Sequence, residues 1–219
     1  MNYFIIGTDT GVGKTLLSCA LLHAFAAQGK RVVGMKPVAC GDNLDVKQLR
    51  AAGNVPASIG QINPYYLEQA VAPQLAAQFI GITINFSRIS ESYQELNALA
   101  EVVIVEGAGG FRVPLNASQD GADLAVELGL PLILVVGMRL GCLNHALLTV
   151  EAIEQRGLTL AGWVANVLHP DMAMLPQNIK LLRQRIQAPL LGEIPYQNNV
   201  DARLLAPQLN LDLLEQLHD

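Results

Sequence analysis

The stretch that decides the fold is Tyr3-Phe4-Ile5-Ile6 followed by Gly7-Thr8-Asp9-Thr10-Gly11-Val12-Gly13-Lys14-Thr15, which opens the apolar run Leu16 to Ala27. A short apolar strand that turns through glycines into a helix presents backbone N–H groups to phosphate oxygens, and the helix N-terminus adds its positive dipole end. Lys14 is placed to reach the β- and γ-phosphates and the Thr15 hydroxyl to bind Mg²⁺. The strict pattern has glycine at position 8, where this chain has Thr8, so the loop is a variant P-loop. Gly-x-Gly-x-x-Gly does not occur here, which argues against a dinucleotide fingerprint. The second lysine of partition-type ATPases would fall at position 9, which is Asp9.

Outward from this loop, short apolar runs alternate with helical patterns. The runs are Tyr3–Ile6, Arg31–Met35, Val102–Val105, Leu132–Val136, Leu160–Ala165 and Leu190–Ile194. Several are continuous Val/Ile/Leu stretches, as central parallel strands require. Helices are expected over Lys14–Ala27, Leu75–Phe79, Ser90–Ala100, Gly121–Leu128, Leu143–Arg156 and Met172–Ile186, three of them stopped by Gly29, Gly129 and Gly157. The fold class that follows is α/β, a mostly parallel sheet flanked by helices, of P-loop NTPase type, in a single domain over 1–219. Residues from about Gly53 to Gln74 are the least regular and are expected to form a surface excursion.

Composition narrows the function classes. Hydrophobic residues make up 51% and charged ones 15% of the 219 residues, which excludes intrinsic disorder. A net charge of −5 leaves no basic excess for sequence-independent binding of nucleic acid. No apolar run approaches the ~18 residues of a membrane helix; the best, Leu130 to Met138, contains Pro131 and Gly137. The N-terminus has no basic region ahead of its apolar residues, so no signal peptide is expected. Cys19, Cys40 and Cys142 are an odd, scattered set, which points to a reduced cytoplasm rather than to a disulfide framework or a zinc site.

Two further strand ends carry charge. Gly34-Met35-Lys36-Pro37-Val38 places a lysine at the C-terminal end of a strand, the side on which α/β proteins bind ligands. Such a lysine can neutralise charge that develops in a transition state. Val103-Ile104-Val105-Glu106-Gly107-Ala108-Gly109-Gly110 ends a hydrophobic strand in a carboxylate, placed to face Mg²⁺ directly or through water as Walker-B acids do. The glycines after it let backbone approach a ligand closely. Asp42 and Asp45 read on their own as helix caps. His23, His145, His169 and His218 read as packed or surface groups, Trp163 and Cys19 as core. Tyr65-Tyr66 either lines a pocket or packs.

Taken in order, the phosphate loop, Lys36-Pro37-Val38, Val105-Glu106-Gly107-Ala108-Gly109-Gly110 and Gly192-Glu193-Ile194-Pro195 resemble the dethiobiotin synthetases. Val135-Val136-Gly137, Leu140-Gly141-Cys142-Leu143-Asn144-His145 and Leu160-Ala161-Gly162-Trp163-Val164-Ala165-Asn166 extend the resemblance over nearly the whole chain. It implies an ATP- and Mg²⁺-dependent cyclo-ligase of biotin biosynthesis, a cytoplasmic homodimer acting on 7,8-diaminononanoate and CO2 without nucleic-acid or membrane partners.

The resemblance also assigns residues. Gly11, Val12, Gly13, Lys14, Thr15 and Leu16 would wrap the triphosphate, and Thr15, Asp45 and Glu106 would hold Mg²⁺, which promotes Asp45 over capping. Lys14 and Lys36 would be catalytic. Gly107, Ala108 and Gly109 would pass close to nucleotide and substrate. Asn166 would read adenine, with Pro195, Tyr196 and Gln197 lining its pocket. Cys40 and Lys36 would contact the substrate, and the turn Gly141, Cys142, Leu143, Asn144 would receive its carboxylate. The chain departs from the pattern at Cys40, where a thiol replaces a better hydroxyl donor, and at Gly11, where some members carry an acid. The loop from Lys36 to Asp45 is short, and Asp201 lies only near an expected acid after Pro195. A partition- or septum-type switch ATPase is the competing class, disfavoured by Asp9. An amidotransferase-type synthetase would need a glutaminase domain that 219 residues do not hold.

Overall fold

The structure, a computed structural model, describes residues 1–196 and 200–215. In chain order the elements are β1 (Asn2–Gly7), α1 (Lys14–Ala27), β2 (Val32–Met35), β3 (Val38–Cys40), α2 (Leu44–Ala52), α3 (Ile59–Ile62), β4 (Tyr65–Leu67), α4 (Pro73–Phe79), α5 (Phe86–Leu99) and β5 (Val102–Glu106). They continue with α6 (Gly121–Leu128), β6 (Leu132–Met138), α7 (Cys142–Gln155), β7 (Leu160–Val167), α8 (Leu175–Arg185), β8 (Leu190–Ile194), α9 (Ala202–Leu205), a 3₁₀ turn (Ala206–Gln208) and α10 (Asp212–Glu215).

Six strands form one sheet in the order β2-β5-β1-β6-β7-β8, every neighbouring pair parallel. Alternate residues feed two apolar layers. Phe4, Ile6, Val103, Val105, Leu134 and Val136 face one layer, under α5 to α8, and Tyr3, Ile5, Ile104, Ile133 and Val135 face the other, against α1 and α2. Both faces are thus covered, which accounts for strands that read as unbroken apolar runs. Trp163 and Cys19 are core residues. Gly29, Gly129 and Gly157 take φ of 82°, 61° and 65° at the helix ends they were expected to stop.

β1 is the strand at which the winding changes direction, because β2 and β5 lie on one side of it and β6 to β8 on the other. Ligand crevices form at such switch points, outside the C-terminal strand ends. At the β2 rim, Asn54 donates its N–H to Val32 O and accepts the Val32 N–H on Oδ1. At the β8 rim, the Asn210 N–H donates to Leu191 O.

The segment from Gly53 to Gln74 lies partly at the surface, as expected, with 58–60 and 68–72 exposed, but its middle packs into the fold. Ile62, Tyr65 and Leu67 are buried, and β4 pairs with β3 in a second, two-stranded parallel sheet. Ser58 caps α3 with a reciprocal bond to Gln61. The buried Asn63 amide then donates to both Lys36 O (2.7 Å) and Tyr65 O (3.1 Å), and the Lys36 N–H donates to Ile62 O. This segment holds the backbone of Lys36 in place.

Candidate functional site

The loop after β1 is bent by Gly11 and Gly13, at φ of 71° and 95°. Gly13 is the residue before α1, and a Cβ there would overlap the Asn166 amide, so the loop and the end of β7 leave space only for glycine. Thr8, the departure from the strict loop pattern, has a structural role: its hydroxyl accepts the Gly137 N–H (3.3 Å) and its N–H donates to Val135 O, tying the loop to β6.

Lys14 and Lys36 are both buried, and both reach toward the residues at and after the end of β5. The Lys14 ammonium donates to Asp9 O (2.9 Å) and Gly109 O (2.5 Å), spanning the phosphate loop and the glycines after β5. Burial, reinforced by repulsion from Lys36, lowers its pKa to about 8. Lys36 donates to Glu106 Oε1 (2.5 Å), Asp45 Oδ2 (2.9 Å) and Gly107 O (3.3 Å). Burial pulls its pKa down, but the two carboxylates outweigh that and hold it above the ordinary lysine value. Asp45 is shifted down: burial works against ionisation and the Lys36 charge overcomes it. Asp45 is therefore no cap. It lies in the first turn of α2 behind Asn43, while Asp42 Oδ1 accepts the Leu44 N–H.

Thr15 Oγ1 donates to Glu106 Oε1 (2.8 Å), the oxygen that also accepts Lys36. Glu106 is fully buried and its Oε2 has no hydrogen-bond partner. An ionisable oxygen left without a partner in such a place calls for a cation or donor. Thr15, Asp45 and Glu106 supply one hydroxyl and two carboxylates, all hard oxygen donors. That set fits Mg²⁺, which keeps waters and phosphate oxygens alongside one or two carboxylates.

Lys36, Cys40, Asp45, Ala108 and Gly109 line one cleft of about 430 Å³, together with Ala70 to Pro73. Burial pushes the Cys40 thiol up, so it stays protonated there. A second cleft, of about 580 Å³, runs from Thr15 and Leu16 along α1 to Asp201 and Arg203. Asn166 is buried at the end of β7, and its Nδ2 donates to Val12 O (2.8 Å). Pro195 and Tyr196 are exposed just after β8; Gln197 lies outside the described residues. Gly141 to Asn144 open α7, apart from the Lys36 cleft.

One contact had no signal in the sequence. Arg139, at the end of β6, forms an ion pair with Asp9 of the phosphate loop. The Thr10 N–H (2.7 Å) and then Arg139 hold the Asp9 carboxyl below its usual range. The pair links the loop to the turn that opens α7. The partners stand 130 positions apart in the chain, and only their placement at neighbouring strand ends unites them.

Comparison with known proteins fits this geometry. A family profile described as an AAA domain matches residues 1–203. The ATP-dependent dethiobiotin synthetase BioD of Aromatoleum aromaticum is 52% identical, covering 95% of this chain and 96% of its own. That of Nitrosospira multiformis is 53% identical, covering 96% and 95%. Among solved structures, the MinD cell division protein of Aquifex aeolicus superposes over 99% of this chain and 96% of its own with a TM-score of 0.62, at 17% identity, a likeness of fold alone. With a P-loop α/β fold and about half of its residues shared over nearly its full length, this chain belongs to the family of ATP-dependent dethiobiotin synthetases.

Proposed function

We propose that the chain closes the ureido ring of dethiobiotin from 7,8-diaminononanoate, CO2 and ATP, and that it does so around Lys36. The observation that carries this reading is the buried Lys36 ammonium, held between Glu106 and Asp45 and beside the phosphate loop. An amine of the substrate adds to CO2 and loses a proton, giving a carbamate. The carbamate oxygen takes the γ-phosphoryl group and ADP leaves. The second amine attacks the carbonyl carbon, a proton is lost and phosphate departs as the ring closes. Each stage places negative charge between Lys14 and Lys36, and their fixed ammonium groups stabilise it. Mg²⁺, held by Thr15, Asp45 and Glu106, would neutralise phosphate charge. Gly11 to Leu16 and Gly107 to Gly109 would line the path of the triphosphate, with Asn166, Pro195, Tyr196 and Gln197 around the adenine.

The α7 N-terminus, from Gly141 to Asn144, would receive the substrate carboxylate. The homodimer that the family resemblance implies would cover the fully exposed Leu140 beside it. Among the described residues no helix is long and apolar enough to cross a membrane, and the three cysteines are unpaired, which supports a cytoplasmic enzyme. The test is label incorporation: diaminononanoate, ATP, Mg²⁺ and labelled bicarbonate should give a labelled ureido product. ATP turnover that ignores the diamine but responds to DNA or lipid would overturn the reading in favour of a switch ATPase. Asp9, paired to Arg139 where that class has its lysine, opposes this alternative.

A further inference from the structure

Behind the Lys36 cleft lies a second, much smaller space. Its volume is about 20 Å³, enough for one small molecule. Its walls are apolar: Phe4 and Ile6 from β1, Phe111 and Leu115 from the loop after β5, and Leu124 from α6. It borders the cleft directly, because Val38, Ala108, Gly109 and Val113 line both.

Several of the backbone groups around it are already engaged. The Gly107 N–H donates to Ile5 O, Gly107 O accepts Lys36, Gly109 O accepts Lys14, and the Val113 and Gly121 N–H groups donate to Gly110 O and Val113 O. A buried water makes about three hydrogen bonds, whereas apolar cavities stay dry and take apolar guests. Among the lining side chains, Glu106 Oε2 is the one buried polar atom without a hydrogen-bond partner.

We propose that this cavity is the waiting site for the CO2 co-substrate, an inference that rests on the functional reading above. CO2 is small, linear and without a net dipole, and it donates no hydrogen bond, so the cavity suits it. Bicarbonate, its anionic partner in solution, would have to shed its hydration to enter an apolar space and is excluded. The shared wall at Val38 and Ala108 delivers CO2 beside Lys36, where an amine bound in the cleft can attack its carbon.

The experiment measures the CO2 dependence of ureido product formation, with carbonic anhydrase present to fix the CO2–bicarbonate balance. Leu115→Phe, which fills the cavity from outside the cleft, should raise the KM for CO2 about fivefold or more. The KM values for ATP and diamine, and kcat at saturating CO2, should stay within about twofold, the pattern of lost ground-state binding. In the unaltered protein, xenon should occupy the cavity in pressurised crystals and inhibit competitively against CO2. Leu124→Ala, which enlarges the cavity, should strengthen that inhibition. An unchanged CO2 dependence in a folded Leu115→Phe, or xenon bound there without effect on it, would overturn the proposal. So would ordered water that xenon does not displace. If the unaltered protein makes no CO2-dependent product at all, the functional reading itself fails, and CO2 with it.

Discussion

The loop between β1 and α1 and the paired ends of β2 and β5 each bury one lysine, and the two ammonium groups behave oppositely. Lys14 has only backbone carbonyls as hydrogen-bond partners and sits near a second cation, so burial wins and its pKa falls to about 8. Lys36 is buried as deeply but bonds two carboxylates, which raise it. Burial alone does not set a lysine's charge; the partner atoms do. The phosphate loop thus holds a cation with no carboxylate bonded to it, suited to an arriving polyphosphate. The strand ends hold one already neutralised, suited to a charge that appears only during reaction.

Breaking the carboxylate side of this contrast should have the largest effect. Lys36→Met strands the fully buried Glu106 and should cost roughly 3–5 kcal/mol of stability, along with a ~10²–10³-fold loss of turnover. Thermal melts and product assays would show both. Adding Glu106→Gln should restore the melting temperature and leave product formation lost, which separates charge balance from chemistry.

On the loop side, Lys14→Gln should weaken ATP-analogue binding ~10–10²-fold by calorimetry, the loss of charge-assisted bonds to phosphate. In the unaltered protein, affinity should fall about tenfold between pH 7 and pH 9 as Lys14 loses its proton, a dependence that Lys14→Gln removes. The two lysines also bend the stability profile in opposite senses. From about pH 8 up to 10.5 the unfolded chain keeps a proton at Lys14 that the folded one has shed, so this site adds stability as pH rises. The Lys36 contribution is complete below 10.5 and is lost as pH rises through its elevated pKa. Denaturant titrations across this range, with and without Lys14→Gln, distinguish the two. The smallest effect belongs to Asp9–Arg139, a half-exposed pair. A double-mutant cycle of Asp9→Asn and Arg139→Gln should give a coupling of ~0.2–1 kcal/mol that shrinks in high salt.

Much of this contrast was legible in the sequence, because strand ends announce themselves. A Val/Ile run that stops at Glu106, or at Met35-Lys36, fixes both an element and the side of the sheet on which its charge emerges. The phosphate loop is equally local. What stayed hidden depends on distant contacts. β3 and β4 are three residues each, too short for any periodicity, and exist because they pair with one another. Asn63 looks like any polar loop residue until its amide meets Lys36 O. Asp45 was indistinguishable from a cap without the family resemblance, since its partner lies on another element. Asp9–Arg139 joins two strand ends that only the sheet order makes neighbours.

The asparagines at the two sheet rims carry one more consequence. An open rim of a parallel sheet is a template on which a second chain can grow strand by strand, the route to fibrils and runaway assembly. Here Asn54 occupies both backbone groups of Val32, and Asn210 takes the carbonyl of Leu191. Each rim is broken by a residue of the chain itself. These bonds satisfy backbone groups that a second chain would otherwise pair with, which works against a chain so rich in Val, Ile and Leu growing through its sheet.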